Sequence, residues 1–141
     1  MLKRWNHHVY DIHYHIVFPV KYRKSLLKEE VCITLWEILR WIEERYDIEM
    51  EQIWLDGDHI HLLCSFPPTK TIGDMVWMIK SITAKRIFKL HPELKEELWW
   101  WEFWTDGYYV ATVWQRWDFK VIEKYIQNQW KKREDIKLRL F

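Results

Sequence analysis

Asp56-Gly57 lies between two β-prone runs, Ile48 to Leu55 and His59 to Cys64, and no feature of the chain restricts its fold more tightly. Two residues of this kind between apolar runs signal a hairpin, because glycine enters the positive-φ backbone that such turns need. The two runs are therefore expected to pair antiparallel. Along Asp58-His59-Ile60-His61-Leu62-Leu63-Cys64 the side chains alternate between faces, so His59 and His61 project to one side. Two imidazoles so placed can hold a metal ion, and equally can be two polar residues on a solvated face. The tripeptide alone does not decide.

The rest of the chain supplies a frame for this hairpin. From Val9 to Phe18 the residues alternate, with Tyr10, Ile12, Tyr14, Ile16 and Phe18 on one face and Asp11, His13 and His15 on the other, which predicts a first strand. A basic turn, Pro19 to Lys24, follows it. Leu27, Val31, Leu35, Ile38 and Ile42 recur at helical spacing and predict a helix from Leu26 to Tyr46. Beyond Pro67-Pro68, Thr71 and Asp74 resemble a capping box. Ile72, Met75, Val76, Ile79, Thr83, Ile87 and Leu90 then mark the buried side of a second helix that ends at His91-Pro92. Gly107 to Val113 is strongly β-prone and predicts a fourth strand, and Asp118 is the expected N-cap of a last helix predicted from Phe119 to about Arg133. Strand, helix, strand, strand, helix, strand, helix is the split β-α-β order of a ferredoxin-like α+β domain: an antiparallel sheet with helices on one face and an added C-terminal helix. Residues 1–141 make one domain.

Composition narrows the function classes. Cys32 and Cys64 stand far apart in apolar surroundings, as small buried residues of a reduced, cytoplasmic protein do. No apolar run is long enough for a signal peptide or a membrane span. The net charge of +1 argues against a broad nucleic-acid footprint, so any such surface must be local. Twelve tryptophans, five of them between Trp99 and Trp114, read as core or dimer contacts, although aromatics of this kind can also stack on unpaired bases at about 1–3 kcal/mol each.

A metal on the histidine strand needs further ligands, and the last helix offers one. Tyr125 and Gln129 are four residues apart and share a helix face, which sets a phenol beside an amide oxygen. Five ordered blocks then carry a resemblance. Tyr14-His15-Ile16-Val17-Phe18, Lys21-Tyr22-Arg23, Asp58-His59-Ile60-His61-Leu62-Leu63, Gly107-Tyr108-Tyr109-Val110-Ala111-Thr112-Val113 and Lys124-Tyr125-Ile126-Gln127-Asn128-Gln129 resemble the single-tyrosine HUH transposases, the TnpA type of small bacterial and archaeal insertion sequences.

The resemblance implies a metal-dependent enzyme that cuts and rejoins single-stranded DNA at element ends and recognises hairpins there. By position Tyr125 would be the nucleophile, with His59, His61 and Gln129 as metal ligands. The family is dimeric, and the tyrosine helix can complete the partner's active site. The chemistry is coherent, since a phenol of pKa ~10 is a weak nucleophile and an anionic phosphodiester repels attack unless a cation is present. Two imidazoles and an amide oxygen suit Mg²⁺ or Mn²⁺, with imidazole favouring Mn²⁺, and leave zinc open. Lys21, Arg23, Lys80, Lys85 and Arg86 read as phosphate contacts that position the strand, and His13 and His15 as structural histidines. The chain departs from the family at Trp99 to Trp104 and at Trp114, where glycine and small residues are usual. Two rivals stand beside this reading: a catalytically inactive single-stranded DNA- or RNA-binding domain, and a His-x-His metal-dependent hydrolase. Barrel hydrolases of the latter kind need about 250 residues.

Overall fold

The histidine run forms a strand with partners on both edges. The computed structural model describes residues 2–98 and 102–113. Among these are the strands β1 (Lys3–Trp5), β2 (His8–Tyr10), β3 (His13–Pro19), β4 (Glu49–Asp56), β5 (His59–Ser65) and β6 (Tyr109–Val113), with helices α1 (Glu29–Arg45) and α2 (Ile72–Leu90). Four strands make the main sheet in the order β4-β5-β3-β6, and every neighbouring pair is antiparallel. Strands β3 and β4 both run opposite to β5 between them and so are parallel to each other. This is the split β-α-β arrangement, and the ferredoxin-like α+β expectation holds.

Alternation divides β3 and β5 between two faces. Ile16 and Phe18 join Ile60, Leu62 and Cys64 in the core, packed against Leu35, Leu39 and Ile42 of α1 and Ile79 and Ile87 of α2. Burial pushes the Cys64 thiol up to about 12, so it stays a packing group. The opposite face carries His13, His15 and Val17 of β3 and His59, His61 and Leu63 of β5, all buried as well.

Several boundaries differ from expectation. The hairpin turns at Gly57-Asp58, one residue later than the Asp56-Gly57 reading, with Asp56 paired to His59 and φ +23° at Gly57. This register sets Leu55 opposite Ile60 and Ile53 opposite Leu62, matching core-facing residues across the pair. The first strand is not continuous. His8–Tyr10 pairs with Lys3–Trp5 in a separate hairpin turned by Asn6 at φ 56°, and β3 begins only at His13. Helix α1 starts at Glu29 because Lys28 is extended, and Leu27 instead donates its N–H to the Gly57 carbonyl at 3.0 Å. In α2 the Thr71 hydroxyl accepts from the Asp74 N–H at 3.1 Å, as the capping pattern predicts. Leu90 is exposed, however, and Phe88 takes the buried place.

The aromatic segment supplies core. Phe103 and Trp104 are buried beside Phe18 and Phe88, and the Trp104 indole donates to the Thr83 hydroxyl at 2.8 Å. Residues 99–101 lie outside the described residues, as do Trp114, the expected helix from Phe119 to Arg133, and the tail. Lys80 ties the chain after Trp104 to α2: its ammonium donates to the carbonyls of Thr105 at 2.6 Å and Gly107 at 2.8 Å. Among the described residues no helix is long and apolar enough to cross a membrane.

Two outcomes follow. Thr83→Val keeps the side-chain shape but removes the acceptor of the buried indole, and lowers the unfolding free energy by about 1–3 kcal/mol in chemical denaturation. Burial holds the Lys80 ammonium down to about 8 against 10.5 when unfolded. Between these values the unfolded chain binds more protons, so this group makes stability rise with pH from about 8 to about 10.5. Urea unfolding at both ends of that window will show a change of stability with pH that is less favourable in Lys80→Met than in the wild type; Cys64, pushed up from 9.0 to about 12, acts with the opposite sign in both.

Candidate metal and nucleic-acid site

The helix-averted face of β5 brings His59 and His61 together with ring centroids 4.8 Å apart and an interplanar angle of 69°. Both are nearly inaccessible, at 2% and 4% exposure. A buried imidazole without hydrogen bonds is costly, and each ring has a partner. His59 Nδ1 lies 2.7 Å from Asp58 Oδ1, and Asp56 Oδ2 lies 3.5 Å from its Nε2. His61 Nδ1 lies 3.0 Å from Nε2 of His15, whose ring stacks on that of His61 at 5.3 Å and meets Tyr109 edge-on.

His15 was expected to be structural, and the structure places it in contact with the histidine pair. The signal was present in the pattern: on antiparallel neighbouring strands, residues of matching alternation share a face, and His15 is set opposite Leu63. His13 fits its structural reading. Its Nε2 lies 2.6 Å from Asp11 Oδ1 and its Nδ1 contacts Glu51, which itself neighbours Lys3.

The donor set suits a divalent ion in part. Two imidazoles on one buried face are good nitrogen ligands, but among the described residues no group of three or more His, Cys, Asp and Glu could hold a metal. A metal held there would need a further ligand from another element. The expected completing residue, Gln129, and the expected nucleophile, Tyr125, both lie outside the described residues.

The basic turn after β3 is latched to this site. The Val20 N–H donates to the Asp58 carbonyl at 2.7 Å, and Arg23 Nη2 approaches Asp58 Oδ2 at 3.4 Å. Reaching this position puts Tyr22 at φ 58° and Arg23 at φ 55°, a left-handed conformation uncommon for side chains of this size. Lys21 pairs with Glu102, and that hydrogen bond raises its pKa. Lys80 is half-buried on the carbonyls already described, with its ammonium over the Phe18 and Tyr108 rings.

Lys85 and Arg86 stand apart from the others, on the helix layer. With Trp41, Tyr46, Lys89 and Leu90 they line a cavity of about 530 Å³ between α1 and α2. The Arg86 guanidinium lies 3.6 Å from the Trp41 ring centroid and that of Arg45 lies 4.7 Å from it. Whereas Lys21, Arg23, Lys24 and Arg40 have acidic partners, Lys85 and Arg86 have none among the described residues. The five basic residues expected to touch phosphate thus divide between the histidine end, the loop before β6 and this groove.

Comparison with known proteins agrees with the fold. The family model described as "Transposase IS200 like" matches residues 8–129. The chain is 37% identical over 128 residues to the ISDra2 transposase TnpA of Deinococcus radiodurans, covering 91% of each protein. It is 31% identical over 126 residues to the transposase for insertion sequence element IS200 of Salmonella typhimurium, covering 89% of this chain and 78% of that one. Among solved structures, a candidate transposase from D. radiodurans superposes with a TM-score of 0.73 at 34% identity, covering 90% of this chain and 97% of its own. A REP-associated tyrosine transposase bound to a REP hairpin shares the fold, with a TM-score of 0.55 at 12% identity over 89% of this chain and 68% of its own.

Proposed function

The chain belongs to the IS200-like transposase family, and from that premise we propose that it cuts and rejoins single-stranded DNA at the ends of an insertion element, with Tyr125 as nucleophile. The observation that carries the reading is the buried convergence of His59 and His61 on one face of β5. Polar rings are kept in such a place at a cost in solvation, and a ligand role gives that cost a function.

In this reading His59, His61 and Gln129 hold Mg²⁺ or Mn²⁺. The bound ion supplies positive charge against the scissile phosphate and the leaving oxygen. The Tyr125 phenol gives up its proton to solvent as its oxygen attacks phosphorus, the bond from phosphorus to the 3′ oxygen breaks, and that oxygen takes a proton back from solvent to leave a 3′ hydroxyl. The chain then carries a 5′ phosphotyrosine. One phosphodiester bond has been exchanged for another, so a second 3′ hydroxyl can reverse the step without ATP. Arg23 beside Asp58, together with Lys21, contacts the strand near the histidines, and Lys85 and Arg86 contact it from the helix layer. Hairpin recognition joins the proposal because a transposase of the same fold is bound to a REP hairpin. So do a homodimer in which the tyrosine helix serves the partner's site, and action in the cytoplasm.

The test is a cleavage assay. Incubated with a single-stranded oligonucleotide from the element end and Mn²⁺, the protein yields a covalent protein–DNA adduct on a denaturing gel. Tyr125→Phe abolishes the adduct, and His61→Ala abolishes cleavage while hairpin binding persists. The absence of any adduct with Mg²⁺, Mn²⁺ or Zn²⁺ would contradict the transposase chemistry, and an adduct formed by Tyr125→Phe would contradict the choice of nucleophile.

A further inference from the structure

A neutral imidazole has one N–H and one lone pair, and only the nitrogen with the lone pair binds a metal ion. Which nitrogen that is depends on what each ring touches. A carboxylate has no proton to give, so the 2.7 Å contact with Asp58 Oδ1 makes Nδ1 the N–H of neutral His59, and the lone pair falls to Nε2, which the exposed Asp56 carboxylate approaches only to 3.5 Å. Nδ1 of His61 is closed to an ion by His15 Nε2 at 3.0 Å. Contact at that length needs one proton between the two nitrogens. If His61 is to offer Nε2 beside that of His59, the proton sits on its Nδ1 and His15 accepts it.

We infer that Asp58 and His15 are positioning residues that fix His59 and His61 as matched Nδ1–H tautomers, so that both rings present Nε2 to one ion. Each positioner is itself held. Asp58 receives the Val20 N–H on its carbonyl and Arg23 on its second carboxylate oxygen. His15 is locked by the pairing of β3 with β5 and β6 and by the ring of Tyr109. Partners of this kind on the second nitrogen of a ligating histidine orient the ring and raise its basicity. Neither residue touches substrate in this account; both act through the rings they hold.

The His59 tautomer follows from Asp58 alone, whereas that of His61 and the consequence for metal binding rest on the reading under Proposed function, and two measurements separate them. ¹⁵N NMR of histidine-labelled, metal-free protein at mildly alkaline pH will show Nδ1 protonated and Nε2 bare in both His59 and His61. An Nε2–H tautomer in either ring overturns the inference. Mn²⁺ titration followed by EPR will then show Asp58→Ala and His15→Phe each weakening binding about 10–100-fold, while Asp58→Asn and His15→Gln, whose amide oxygens can accept the same N–H, recover most of the loss. Thermal unfolding confirms that the variants fold, and the wild-type NMR result stands if they do not. Unchanged Mn²⁺ affinity in folded Asp58→Ala and His15→Phe overturns the positioning role. Wild-type protein with the assigned tautomers but no Mn²⁺ binding upholds the tautomer assignment and overturns the metal reading instead.

Discussion

Strand β5 is hydrogen-bonded along both edges and buried on both faces, and the rest of the molecule is arranged to satisfy it. Its apolar set, Ile60, Leu62 and Cys64, has an ordinary solution in the helix layer. Its other set contains two imidazoles, and an unpaired polar group in such surroundings costs about 2–7 kcal/mol. Asp58 and His15 offset that cost at Nδ1 of each ring. A sheet that needs its central strand to fold therefore also needs the hydrogen bonds that orient the candidate ligands. Fold and site share one set of contacts.

Charge is distributed by the same logic of local satisfaction. With a net charge of +1 there is no general attraction to DNA. Near the sheet the cations are largely matched, Lys3 by Glu49, Lys21 by Glu102 and Arg23 by Asp58, which gives the histidine end a defined geometry rather than a diffuse field. The groove around Trp41 differs, because Lys85 and Arg86 remain unmatched among the described residues and the Arg86 guanidinium sits over the indole, 3.6 Å from its centroid. Stacking on an aromatic ring leaves the guanidinium edge able to meet phosphate.

The sheet order and both helices were legible because they rest on periodicity, which burial enforces over many residues at once. Features decided by single contacts were less so. The N-terminal hairpin turns on Asn6 without a glycine, so Val9 to Phe18 looked like one strand. The one-residue displacement of the Gly57-Asp58 turn comes from matching Leu55 with Ile60, a cross-strand preference that the turn residues do not carry. Leu90 satisfies the helical spacing as well as Phe88 does, and only packing against Phe103 separates them. At the site, alternation brought His59 and His61 to one face, but the role of His15 depends on the register between strands distant in sequence. Lys80 looks from sequence like any other lysine on a helix, and only the approach of the Thr105 and Gly107 carbonyls shows it to be tied down.

Anomalous diffraction from crystals of the full chain grown with Mn²⁺ tests the central claim most directly, because it locates the ion without reference to activity. The account predicts a single manganese peak within bonding distance of Nε2 of both His59 and His61, with Nδ1 of each still on Asp58 and His15. A peak elsewhere, or ligation through Nδ1 of either ring, would contradict it.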